Sequence, residues 1–212
     1  MQAITGADWA TVFVVGVFAV MSPGPDMLVT LRSSLVGSTR AGLFTALGIG
    51  IGLCFHTGYS LIGLAVLISQ SIVLFSILKL IGAAYLIYIG WRSIRARGDV
   101  LPVVAEEDRH PMSARDALLA GLFTNLTNPK VTLFFLALFT QVIEPETPNG
   151  LKALYGGTII AISLTWFSLL ALIVGHEAVR ARLRATSPWI ERIAGGLFIA
   201  LGIRLIFAKA AS

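Results

Sequence analysis

The stretch Ser22-Pro23-Gly24-Pro25-Asp26 interrupts a predominantly apolar run that extends from Trp9 to Leu31, and its reading decides the fold. Pro23 and Pro25 lack the amide that would bond four residues back, their rings clash with those carbonyls, and Gly24 adds backbone freedom. A helix must break or kink here. In a water-soluble chain the break would mark a loop. Inside a bilayer the freed backbone groups need partners, which makes the break a candidate site.

Composition places the break in a bilayer. The 212 residues are 56% hydrophobic and 13% charged, and the mean hydropathy is +0.85. This fits an all-α polytopic membrane protein with one transmembrane domain over residues 1–212. Between Arg40 and Lys79 every residue is neutral except His56, and Lys152 to His176 encloses a second long apolar stretch. Each is long enough for a span of about 20 residues. The net charge of +5 falls between apolar runs and forms no continuous basic face, so nucleic acid is not an expected partner. Cys54 is the sole cysteine, which excludes an intrachain disulfide and a cysteine-based zinc cluster. Met1 to Asp8 lacks Lys and Arg, so the first apolar segment reads as a retained helix and not as a secretory signal.

Taken in order, the chain predicts six spans: Trp9 to Leu31 through the break, Ala41 to Ile68, Ser71 to Trp91, Ala117 to Ile143, Ala153 to Gly175 and Trp189 to Phe207. A tight turn is expected at Ser69-Gln70-Ser71, a connecting loop at Arg92 to Arg115 and a turn at Glu144 to Gly150. A basic loop carrying Arg180, Arg182 and Arg184 precedes the last span. The second span carries Gly42, Gly48, Gly50, Gly52, Gly58 and Gly63, small residues that let helix backbones approach, with Gly48 and Gly52 as a GxxxG pair. The fourth span is broken in its turn by Asn125-Leu126-Thr127-Asn128-Pro129-Lys130.

Eleven basic residues (Arg32, Arg40, Arg92, Arg95, Arg97, Arg109, Arg115, Arg180, Arg182, Arg184 and Arg192) fall on one side of this topology. Three (Lys152, Arg204 and Lys209) fall on the other. The positive-inside rule puts the first set in the cytoplasm and both termini outside. The halves also look alike. Ser22-Pro23 matches Asn128-Pro129, and Lys79-x-x-Gly82-Ala83-x-Tyr85 matches Arg192-x-x-Gly195-Gly196-x-Phe198. With three spans per half, this predicts a 3+3 inverted repeat, residues about 8–94 and 115–208 around a cytoplasmic loop at about 95–114. Broken helices at matching positions of such halves point to a transporter's binding site.

The breaks supply the candidate chemistry. Ser22 can cap a half-helix beginning at Pro23, and Asn128 one beginning at Pro129. Both half-helix N-termini would then present free amides suited to a carboxylate. The alternative is a pair of structural kinks with locally satisfied backbones. Asp26 and Lys130 are costly in a bilayer unless paired or wetted; their signs suit a solute's ammonium and carboxylate, or they neutralise one another. At 1.5 Å per residue Asp26 lies roughly 25 Å from Trp9 in a core of about 30 Å, on the cytoplasmic side of centre. Direct contact with Lys130 would then need tilt or unwinding, which favours the carboxylate-binding role for Lys130. His56, with an ordinary pKa of about 6.5, suits either proton exchange or a neutral hydrogen bond. Lys79, near the start of its span, suits snorkelling to the outer interface as readily as a functional role. Asn125, Thr127, Asn128 and Gln141 are candidates for a polar path or for interhelical hydrogen bonds. Gly48-x-Gly50-x-Gly52 follows no strand and has the wrong spacing for a nucleotide fingerprint.

The motifs Ser22 to Asp26, Arg40-Ala41-Gly42 through Gly48-Ile49-Gly50-Ile51-Gly52 to His56, Lys79 to Trp91, and Thr124 to Lys130 follow one another in order. On these the chain resembles the lysine-exporter (LysE) superfamily, in its homoserine/threonine-exporter (RhtB-type) branch. The resemblance implies a bacterial inner-membrane exporter of amino acids or related metabolites, driven by the proton gradient. The substrate-site expectation is Ser22, Pro23, Gly24, Pro25, Asp26, Asn125, Asn128, Pro129 and Lys130, with Asp26 and His56 as proton-coupling candidates. No metal or organic cofactor is expected, and a homo-oligomer is left open. Three alternatives stand beside this reading: an exporter of another small metabolite or ion, a non-catalytic scaffold using the glycine faces, and an intramembrane enzyme. The last lacks an H-E-x-x-H, a G-x-S-x-G or a comparable pairing.

Overall fold

A computed structural model of the chain describes residues 6–70, 72–96, 111–142 and 147–207. Within them the fold is all helical: α1 (Gly6–Met21), α2 (Pro25–Arg32), a π-helical turn (Ser33–Gly37), α3 (Thr39–Gln70), α4 (Ile72–Arg95), α5 (Ala114–Leu126), α6 (Pro129–Val142), α7 (Asn149–Ile173) and α8 (Glu177–Phe207). Both expected breaks are present, and the two broken pairs bend by the same 53°. Thr39–Leu61 and Asn149–Ile173 are long and apolar enough to cross a membrane, and counting each bent pair as one span gives up to four. Of the turn expected at Ser69-Gln70-Ser71, Ser69 and Gln70 belong to α3, and Ser71 lies outside the described residues. Gly63 and Gln141 lie outside the residues whose side chains are described, and residues 97–110 of the expected loop and 143–146 at the expected turn lie outside the described residues.

Two expectations are corrected. The basic stretch at Arg180, Arg182 and Arg184 is the first part of α8 and not a loop. Its alanines and arginines are good helix formers, Glu177 pairs with Arg180 one turn on, and Arg180 Nη1 donates to the Val174 and Gly175 carbonyls, closing α7. Pro188 lies inside this helix. It removes the amide that would reach the carbonyl of Arg184. Lys79, for which the sequence allows outward snorkelling, is buried, because α4 begins two turns before it.

Glycines set how the helices pack. A Cβ at Gly48 would run into the Leu118 carbonyl, one at Gly52 into the Asn125 side chain, and one at Gly121 into the Thr45 carbonyl. The GxxxG pair therefore seats α5 on α3, with Thr45 Oγ1 donating across the seam to the Ala117 carbonyl at 3.1 Å. Rising numbers on α3 meet rising numbers on α5, so the two run parallel. Against α7 the order reverses: Gly42 meets Ala171, Gly50 meets Leu164, and Thr57 meets Gly156, so α3 and α7 are antiparallel. On α4 and α8, Gly90 and Gly195 each face the other's carbonyl, while Gly202 faces Ala83 and Ile87, again antiparallel. Gly82 meets Ala137 of α6.

The core between these helices is aromatic. Phe135 packs on His56, Phe134 and Phe139, and Phe134 reaches Phe198 of α8. Outward, Phe55, Phe123, Leu172 and Trp189 are exposed, giving an apolar perimeter of the kind an interaction or membrane surface presents.

Candidate functional site

The first break is wider than the sequence suggests. α1 closes with Ser22 N–H donating to the Phe18 carbonyl at 2.9 Å, and the next helical bond, Leu28 N–H to the Gly24 carbonyl, begins α2. Ser22 was expected to cap a helix starting at Pro23. Instead extended Gly24 is the cap, without a side-chain bond, and Pro25 is the first helical residue. Two prolines allow only this: Pro25 is preorganised for the first helical position, and Pro23 disfavours helical backbone at Ser22. The carbonyls of Ser22 and Pro23 are thereby cut out of the helix. Lys130 Nζ supplies their donor, 2.8 Å from the Ser22 oxygen and 3.5 Å from that of Pro23.

The second break is self-capped. Asn128 Oδ1 accepts from the Lys130 amide at 3.0 Å, and Pro129 opens α6 as expected. The Val131 and Thr132 amides bond the Asn128 carbonyl. The first-turn donors of α6 are therefore engaged, which corrects the expectation of free amides there. At α2 the first turn holds Asp26 itself, so the chain's own carboxylate occupies that positive helix end.

Asp26 is buried, and both its oxygens accept from asparagines flanking the second break: Oδ2 from Asn125 Nδ2 at 2.8 Å, Oδ1 from Asn128 Nδ2 at 3.2 Å. The carboxylate accepts only, which fixes both amides with nitrogen toward it. Among the described residues Asp26 and Lys130 form no direct ion pair; the asparagines stand between Asp26 and the second break, while Lys130 turns to the first. His56 is buried one residue further along. Its Nε2 lies 3.0 Å from the Asn125 carbonyl and therefore carries the proton, leaving Nδ1 to accept from the Tyr59 hydroxyl. A continuous polar chain thus runs Tyr59, His56, Asn125, Asp26, Asn128.

Open space lies on both faces of the break. One cleft, the narrower, is lined by Asp26, Phe134, Phe135, Ser163 and Phe167 among others. The other, about 800 Å³, lies beside α4 and α8 and is lined by Tyr85, Tyr88, Arg92 and Glu191. Ser22, Gly24, Asn128 and Lys130 line both, so they form the partition. Pro23, Pro25 and Pro129 face the larger cleft only. Asn125 and His56 line neither; they lie behind Asp26 and position it. Glu191, Arg92 and the two tyrosines were missed in the sequence. Glu191 had one available signal, as the sole acidic residue after Glu177. No three His, Cys, Asp or Glu side chains among the described residues are grouped to hold a metal ion.

Two broken helices meeting around a buried carboxylate and an ammonium, with space on either face, define a helical solute-handling protein of the transporter class. The comparisons with known proteins make this particular. The LysE type translocator family model matches residues 17–209, and the chain belongs to that family. It is 30% identical to the threonine efflux protein of Escherichia coli K12 over 94% of this chain and 97% of that protein. It is 30% identical to the homoserine/homoserine lactone efflux protein of Salmonella typhimurium LT2 over 95% and 97%. It is 31% identical to the membrane protein YahN of Escherichia coli K12 over 93% and 89%. No solved structure matches it. Family and relatives together make it a membrane transporter with amino-acid efflux as the family-level role.

Proposed function

We propose that this chain is a proton-coupled exporter of amino acids or their derivatives in a bacterial inner membrane. In this reading it is a 3+3 inverted repeat of six spans with both termini outside. The observation that carries it is the partition: two helices, bent equally, meet so that one set of residues walls two clefts. Alternating access needs such a wall, with the breaks as pivots. The packing directions support six alternating spans, since α3 parallel to α5, α3 antiparallel to α7, and α4 antiparallel to α8 is the set that alternation requires. The reciprocal contact of Gly90 with Gly195 supports a pseudo-twofold relation in which these two, and not Gly82 and Gly195, correspond. The larger cleft lies at the ends of α4 and α8 that carry the basic residues, and so faces the cytoplasm.

Asp26 holds the asparagine amides while ionised. Protonation from outside would weaken that hold and let the two half-helices shift, with His56, bonded to the Asn125 carbonyl, as the second titratable group whose charge would bear on Asp26. The scaffold reading loses most of its described surface, since Gly42, Gly48, Gly50 and Gly52 are occupied by this chain's own helices while Gly58 stays open. The test is release of labelled L-threonine and L-homoserine from proteoliposomes, with and without external acidification. Acidification is expected to accelerate release, and Asp26→Asn to remove the acceleration. Unchanged gradient-driven release by both Asp26→Asn and His56→Gln would overturn the proton assignment, and no release of any amino acid in a panel would overturn the exporter reading.

A further inference from the structure

Glu191 sits on α8 with 7% of its surface exposed, and its Oε2 has no hydrogen-bond partner among the described residues. It lines the larger cleft with Arg92, Tyr85, Tyr88 and Lys130. Lys130 is close enough to interact with it electrostatically, yet the lysine's donors go to the backbone of the first break, and no ion pair joins the two. A buried carboxylate oxygen left without a donor is costly, and a vacant acceptor on a cleft wall is satisfied most readily by a cationic donor from the cleft. Arg92 guanidinium, over the Tyr88 ring at 6.0 Å, lines the same space with the opposite sign. An acceptor and a fork-shaped donor in one cleft match the two ends of a zwitterion.

Resting on the exporter reading, we infer that Glu191 and Arg92 form a loading subsite in the α4–α8 cleft, in which Glu191 receives the α-ammonium and Arg92 the α-carboxylate of an amino acid. This subsite is separate from Asp26, which lines only the other cleft and whose two oxygens are already held by asparagine amides. It requires a solute with a free ammonium. A solute lacking one loses the charge-assisted bond and leaves Glu191 unpaired.

The test uses the full-length protein in detergent and ligand-dependent thermal stabilisation, with L-threonine, L-homoserine and their N-acetyl derivatives as probes. Wild-type protein is expected to need about 10-fold or more of the N-acetyl compound for half-maximal stabilisation, the scale of one charge-assisted hydrogen bond. Glu191→Gln is expected to raise the half-maximal concentration of the free amino acid by a similar factor without changing that of the N-acetyl form. Glu191→Asp should recover part of the difference. Equal stabilisation of wild-type protein by free and N-acetylated amino acid overturns the inference without needing any variant, as does a Glu191→Gln response within about two-fold of wild type. Proteoliposome release of L-threonine by wild-type protein separates the two levels. If release proceeds while either overturning result is found, only the subsite fails; if no amino acid is bound or released, the exporter reading falls and the subsite with it.

Discussion

The two breaks bend their helices by the same angle, yet they are held in opposite ways. The second is locally self-sufficient: Asn128 caps α6 through its own side chain and Pro129 occupies the first helical position. The first has no side-chain cap, and its orphaned Ser22 and Pro23 carbonyls depend on Lys130, a residue more than one hundred positions away. Asp26 depends in turn on Asn125 and Asn128. The first break is therefore conditional on the second, which sits on α3 through glycine contacts. Such a dependence lets a change at one pivot be felt at the other.

The strongest way to break this comparison is to unseat α5. Gly48→Leu would place a side chain against the Leu118 carbonyl, and α3 and α5 cannot then meet. Folded yield should fall to near zero in size-exclusion chromatography, a loss of more than about 3 kcal/mol. Gly58→Leu, where a Cβ meets nothing within 4 Å, should stay within about 1 kcal/mol. A harmless Gly48→Leu would remove the glycine account of the α3–α5 seam.

Next in size is the dependence of the first break on Lys130. Lys130→Met leaves two carbonyls without their donor, and thermal unfolding should report a loss of about 2–4 kcal/mol together with lost release activity. Lys130→Arg keeps the charge but replaces a compact ammonium by a larger fork, so it should restore stability only in part. Asn128→Ala comes third. It removes the cap and one donor to Asp26, about 1–3 kcal/mol together. Asn128→Asp keeps the cap but sets a carboxylate against Asp26, so it should recover less than the cap alone predicts. Smallest is Ser22→Ala, expected within about 0.5 kcal/mol because the Ser22 side chain caps nothing. A loss of 1 kcal/mol or more at Ser22 would restore the capping role first expected of it and erase the asymmetry between the breaks.

Much of this arrangement was legible in order along the chain. Proline pairs and Asn-Pro-Lys announce helix breaks because their backbone chemistry is local, and the GxxxG pair announced a close seam because only small residues permit one. The Asn128 cap was legible for the same reason. The α8 extension was not, because charge reads as loop unless the helix-forming alanines and arginines and the Glu177–Arg180 pair are weighed with it. Asn125's position behind Asp26, and Glu191's place on a cleft wall, could not be read at all, since each depends on helices that meet far apart in sequence.

The sequence by itself determined that this chain is helical, apolar and twice broken, because proline geometry and side-chain size act within a few residues. Only the tertiary structure decided that the lysine of one break serves the carbonyls of the other, that two asparagines hold Asp26, and that Glu191 Oε2 has no hydrogen-bond partner among the described residues. Those are hydrogen bonds between separate helices, and their partners are chosen by packing direction and register, which no local run of residues encodes.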